Sequence, residues 1–174
     1  MADSLWYELI DQADELADIQ ATGDAPTDAD VRRAISAAYY ALFHRLTFLV
    51  AECTAGAVPG PHRHEVRRFF AHSALNDVCS WIIRGGAPPS RPAADGLAPL
   101  VGQSVELMAV VRVFVVLQEL RHDADYDHLA LFTVADAQQA IQRADEAIHL
   151  LDSARDQPEI DGLAALCIMY GRRS

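Results

Sequence analysis

Between Leu100 and Ala124 apolar side chains fall on nearly every side of one predicted helix: Val105, Met108, Ala109, Val111, Val113, Phe114, Val116, Leu117 and Leu120. A helix that is apolar around most of its circumference must be covered on several sides. It is therefore either the central helix of a bundle or a seam between two copies, with Val111 and Phe114 on that seam. The valines at 110, 111, 113, 115 and 116 would also suit a strand, but length and the helical pattern on either side select helix. The run from Leu107 to Leu117 is broken by Arg112 and is too short to span a bilayer.

The rest of the chain repeats this helical period and confines its breakers to a few places. Leu5, Trp6, Leu9, Ile10, Ala13, Leu16, Ala17 and Ile19 predict a first helix from about Ser4 to Gln20, with Ser4 as its cap. After the Gly23–Pro26 connector, Thr27 or Asp28 caps a second helix to about Cys53, whose inner face holds Val31, Ile35, Ala38, Tyr39, Leu42, Leu46, Leu49 and Val50. A third helix is expected from near His62 to Ile83, with Val66, Phe69, Phe70, Leu75, Val78, Trp81 and Ile82 turned inward. The Gly- and Pro-rich stretch 85–99 predicts a long surface loop. Thr133, with Asp136 three residues on, predicts a capped helix to about Ser153 with the small-residue face Ala137, Ala140, Ile141, Ala144, Ala147, Ile148 and Leu151. The tail 153–174 has room for one short final helix. The expectation is one all-α domain over 1–174, an up-and-down bundle of four to five long helices with its core at about 4–152.

Charge and cysteine usage exclude several functions. The formal net charge is −11, and nine acidic residues precede the first basic one, Arg32. A general nucleic-acid coat needs cationic surface to displace counterions, so only a local basic cleft could serve that purpose. There is no lysine, which rules out a Schiff-base or phosphate-binding lysine. Cys53, Cys79 and Cys167 are oddly spaced and suit a reduced compartment. With an acidic amphipathic start and no signal-like segment, the expectation is a cytoplasmic protein without membrane contact. No metal is expected: His62, His64 and His72 lack a zinc-binding spacing. No Gly-rich phosphate loop or nucleophile signature is present, so no cofactor is expected.

Two segments could carry chemistry. On the second helix Arg32, Arg33, Ser36, Tyr39, Tyr40, Phe43 and His44 fall into two rows; Ser36, Tyr40 and His44 are four apart and share a side, as do Tyr39 and Phe43. Alternatively these are core aromatics with satisfied polar tips. At the end of the long apolar helix lies Arg121-His122-Asp123-Ala124-Asp125-Tyr126-Asp127-His128. On a continuing helix Arg121 and His128 would share a face about 10.5 Å apart along the axis. A fixed cation beside an imidazole is what metal-independent cleavage of an RNA phosphodiester requires: His128 as acid or base, Arg121 stabilising phosphoryl charge. His122, Asp125, Tyr126, Tyr40 and His44 would support or bind substrate. The competing reading is an ion-paired helix end, with the neighbouring aspartates repelling any phosphate. Arg63 and Arg67, four apart in the one basic patch, could guide an RNA backbone or form a solvated face.

Taken together, Arg32, Ala34, Ser36, Ala38, Tyr39, Tyr40, Ala41, Phe43 and His44, followed by Arg121, Ala124, Asp125 and Tyr126, resemble the HEPN superfamily, in particular its small bacterial stand-alone proteins. The resemblance covers about Leu5 to Leu151. It implies a helical bundle that forms a homodimer. In many members an Arg-x4–6-His motif, matched here by Arg121 and His128 at its longest spacing, cuts RNA without metal in a cleft built by both subunits, often in toxin–antitoxin or defence systems. Here the tyrosine that one toxin branch places two residues after the histidine is replaced by Ala130. Members of the Ala-Asp-Tyr type frequently lack the histidine; non-catalytic members bind RNA or nucleotides, or pair with a nucleotidyltransferase. Two functions follow: a metal-independent endoribonuclease or RNA- or nucleotide-binding component, and a catalytically silent helical dimer that acts as an interaction or scaffold module.

Overall fold

A computed structural model describes residues 5–18, 23–54, 72–85, 97–155 and 157–170. These residues contain seven helices and no strand: α1 (Leu5–Ala17), α2 (Asp28–Thr54), α3 (His72–Ile83), α4 (Leu97–Val101), α5 (Val105–Tyr126), α6 (Val134–Ser153) and α7 (Pro158–Tyr170). The fold is all-α, as expected. Its helices are more numerous and more unequal than four or five long ones, because only α2, α5 and α6 reach 20 residues.

Local chemistry sets the starts of the long helices. The Thr27 hydroxyl accepts from the Asp30 backbone at 3.2 Å, and the Asp30 carboxylate accepts from the Thr27 backbone at 3.0 Å. Thr133 and Asp136 make the same reciprocal pair at 3.2 and 2.8 Å. Each pair satisfies donors that a helix start leaves without partners. The threonine contacts hold both carboxyls below the usual aspartate range. Ser104 accepts from the Leu107 backbone at 3.2 Å and starts α5. The continuous helix expected from Leu100 is thus two helices: α4 turns out at Gly102 and Gln103, and Ser104 caps a new one. Residues 97–99, expected in the long loop, belong to α4. Ser4, the expected start of the third helix near His62, and Val66, Phe69 and Phe70 lie outside the described residues.

Contacts between helix ends give the topology. The start of α1 meets the end of α6 where the Tyr7 hydroxyl donates to Asp152 at 3.0 Å. The start of α2 meets the end of α5 where Arg32 reaches the Ala124 carbonyl. The end of α2 meets the segment after α6 where Arg155 pairs with Glu52 at 2.8 Å. Helices α1, α2, α5 and α6 therefore run alternately up and down, and α3, α4 and α7 pack along their flank. The hub is α2, which packs on α1, α5, α6 and α7; α5 packs on α2, α3 and α6.

The inward faces expected of α2 and α6 are buried throughout. The small-residue face of α6 lets neighbouring backbones come close. Gly162 does the same for α7: a Cβ there would sit 3.2 Å from Leu100 Cδ2. On α5 the burial is one-sided. Leu107, Val110, Val111, Phe114 and Leu117 are buried, but Val105, expected in the core, is 80% exposed and Val116 is also open. Val105 is the first residue of α5. Val111 and Phe114, expected on a seam between copies, lie wholly inside the chain. By length and composition α2 could cross a membrane, yet most of it is buried in the bundle, as in the core helix of a soluble protein.

Candidate functional site

The residue rows foreseen on α2 and α5 meet, and the four-residue repeat explains how. Arg32, Ser36 and Tyr40 stand one turn apart on α2, and each engages the C-terminal end of α5 or the turn beyond it. Arg32 Nη1 donates to the carbonyls of Ala124 and Asp127, both at 3.0 Å, and Nη2 donates to the Ala130 carbonyl at 2.5 Å. The Ser36 hydroxyl donates to Asp125 Oδ1 at 2.6 Å. Arg121 Nη2 donates to the Tyr40 hydroxyl at 3.2 Å.

Arg121 is therefore engaged on several sides. Its Nε lies 2.6 Å from Asp125 Oδ2, one turn along α5. That contact is ionic and not an aligned hydrogen bond, since the buried Nε has no partner within hydrogen-bond angles. The guanidinium carbon sits 5.5 Å from the centres of both the Tyr40 and Tyr126 rings, within cation–π range. Only 18% of the Arg121 side chain and 28% of the Asp125 side chain meet solvent. Partial burial works against the charged guanidinium, but Tyr40, Asp125 and Tyr126 outweigh it and raise the Arg121 pKa. Asp125 is used at both oxygens, one toward Ser36 and one toward Arg121.

Tyr39 and Tyr40, adjacent in sequence, take different roles. Tyr39 is fully buried, 5.6 Å from the Phe114 ring centre, and desolvation pushes its phenol well up. Tyr40 faces Arg121. His44 continues the row one turn further and stacks on Tyr40, with ring centres 6.3 Å apart. His122 is exposed, its ring 5.2 Å from Tyr126, and it lines a shallow depression of about 360 Å³ with Asn76, Gln118, Glu119 and Asp123.

His128 does not continue α5. The helix ends at Tyr126, and Asp127 adopts extended geometry (φ −94°, ψ 103°). The shared helical face expected for Arg121 and His128 is therefore not formed. His128 is exposed in the turn, and no hydrogen bond or ion pair joins it to another described residue. Arg63 and Arg67 lie outside the described residues. Among the described residues no group of His, Cys, Asp and Glu could hold a metal ion.

Arg32 and Ser36 belong to the motif, yet reading the sequence assigned neither a role. Their regular spacing was visible, but their partners lie about ninety residues away. A second charged residue also stood out only in three dimensions. Arg45 is 3% exposed; its Nε donates to Asp152 at 2.7 Å, its Nη2 pairs with the same carboxylate oxygen, and its guanidinium lies 5.0 Å from the Trp6 ring centre. The visible signal was a lone arginine among Leu42, Leu46 and Leu49 on an inward face.

The chain matches no protein-family model, no curated protein and no solved structure.

Proposed function

We propose that this chain is a HEPN-type helical module that works by association, with a second copy and with a partner protein, and does not cut RNA. The observation that carries this reading is the engagement of Arg121. A guanidinium that stabilises phosphoryl charge must be free to meet it. Here it is paired to Asp125 and bonded to Tyr40, and Asp125 is itself held by Ser36. The HEPN-like motif then serves as an interlock between α2 and α5. The net charge of −11 also disfavours loose RNA binding. A nucleotidyltransferase-type partner, as in toxin–antitoxin pairs, belongs to the same proposal on the strength of the resemblance.

A metal-independent ribonuclease is the second reading. It is favoured by two exposed imidazoles, His122 and His128, at the end of α5 that carries Arg121. The two readings separate in one experiment. Purified protein is incubated with end-labelled structured and single-stranded RNAs in EDTA, and its mass is measured by light scattering. The association reading expects a dimer and intact RNA. EDTA-resistant cleavage that disappears in both Arg121→Ala and His128→Ala would overturn it.

A further inference from the structure

The turn after α5 exposes more apolar surface than its length warrants. Leu129 is 88% exposed, Leu131 90%, and Tyr126 beside them 62%. Single exposed leucines are ordinary; three large apolar side chains within six residues form a patch.

The exposure does not come from a slack backbone. Arg32 holds the carbonyls of Ala124, Asp127 and Ala130. Its guanidinium lies 5.3 Å from the ring centre of Phe132, just past the turn. The Asp127 carboxylate accepts from the Leu129 backbone at 2.8 Å. Both leucines are thus presented outward on a backbone fixed from either side, which lowers the ordering cost of binding.

Charge selects among occupants. The exposed residues Asp123, Asp127 and Asp136 flank the patch in sequence, while Arg121 and Arg32 nearby are already paired with Asp125 and Asp28. In a two-fold contact a second copy would bring these aspartates against their own counterparts, and an anionic lipid surface would be repelled. We propose that the Tyr126–Leu131 turn is a docking tip that seats Leu129 and Leu131 in an apolar groove rimmed by arginine or lysine on a partner protein. The proposal rests on the association reading and gives its partner a chemistry.

The test uses the full chain carrying Leu131→p-benzoylphenylalanine, cross-linked by light in the cells that make it, with Gln139→p-benzoylphenylalanine as the control position. The protein captured at 131 and not at 139 is purified and the complex is rebuilt. Wild type is expected to bind it with affinity that falls as salt rises. Leu129→Ser/Leu131→Ser is expected to weaken binding by about tenfold or more, with an unchanged melting temperature. The proposal is overturned by no cross-link above control, by cross-links only to another copy of this chain, or by an affinity that the double variant or salt leaves unmoved. A clear fall in melting temperature would also overturn it, since the leucines would then be covered within the chain. RNA cleavage would remove the association reading without altering any of these measurements.

Discussion

Two arginines sit on interfaces of this bundle, each with an aspartate and aromatic rings, and they are held in different ways. Arg45 is 3% exposed and its carboxylate comes from another helix, α6, with Tyr7 of α1 on the other oxygen. Arg121 is 18% exposed and its carboxylate comes from its own helix, one turn on. The first arrangement joins three helices around a guanidinium that is almost wholly covered. The second joins α2 to α5 through the hydroxyls of Tyr40 and Ser36 and the face of the Tyr40 ring. Burial and the source of the counter-charge thus separate a structural ion pair from a site that retains some access to solvent.

The largest expected effect tests the buried member. Asp152→Ala leaves the Arg45 cation without its counter-charge inside the bundle. Breaking a buried pair is strongly destabilising, and with Asp152 itself partly in water the expected loss is about 3 kcal/mol. Arg45→Met, which removes the charge and keeps the volume, should cost much less. Urea denaturation of both variants checks the order; equal costs would mean that Arg45 is hydrated in solution.

Next comes Arg32, which bridges the two regions because it lies on α2 like Arg45 and serves α5 like Tyr40. Arg32→Ala removes three charge-assisted bonds to carbonyls and a cation at the end of a helix. The expected loss is about 2 kcal/mol. Amide hydrogen exchange should accelerate first at Asp127 and Leu129. Arg32→Lys keeps the charge but not the fork, so it should restore only part of the protection.

How much of this was legible follows from the range of each interaction. The caps at Thr27 and Thr133 need only partners three residues away, and the sequence displayed them. The core faces of α2 and α6 need only a period. The break at Gly102–Ser104 was hidden because the apolar pattern continues through it, although Gly102 and Ser104 are themselves turn and cap residues. The site was half legible. The residues Arg32, Ser36, Tyr40 and Arg121 stood out in the two motif segments; the contacts between them did not. Of Asp123, Asp125 and Asp127, only Asp125 stands four residues from Arg121, so that pair follows from the helical period. The angle at which α2 crosses the end of α5 brings that same carboxylate to Ser36, a contact between helices that no spacing within α5 displays. The helical face that Arg121 and His128 would share needs a helix that reaches His128, and α5 ends two residues short of it, at Tyr126.

Asp125→Asn probes the more open pair. Its charge partner keeps Tyr40 and some water, so the expected loss is about 1 kcal/mol or less. Thermal melting beside Asp152→Ala gives the comparison directly. A loss as large as that of Asp152→Ala would erase the distinction between the two arginines and make Arg121 purely structural.

The smallest effect sharpens the buried side through pH. Tyr7 is held above the usual tyrosine value of 10.0, first by burial, then by its hydrogen bond to Asp152 and the charge there, against lowering contributions from Trp6 and Arg45. A phenol with a raised folded pKa contributes stability that is fully present below the unfolded value and is lost as pH rises through the folded one. Stability should therefore fall on the alkaline side of about pH 10, where the unfolded chain releases the proton first. Tyr7→Phe removes one exposed hydrogen bond, at about 0.5 kcal/mol near neutrality, and should flatten that alkaline limb only slightly, because burial also raises Tyr39, Cys79 and Cys167, which carry more of it. If Tyr7→Phe left the limb unchanged, none of the alkaline loss would arise beside the Arg45–Asp152 pair.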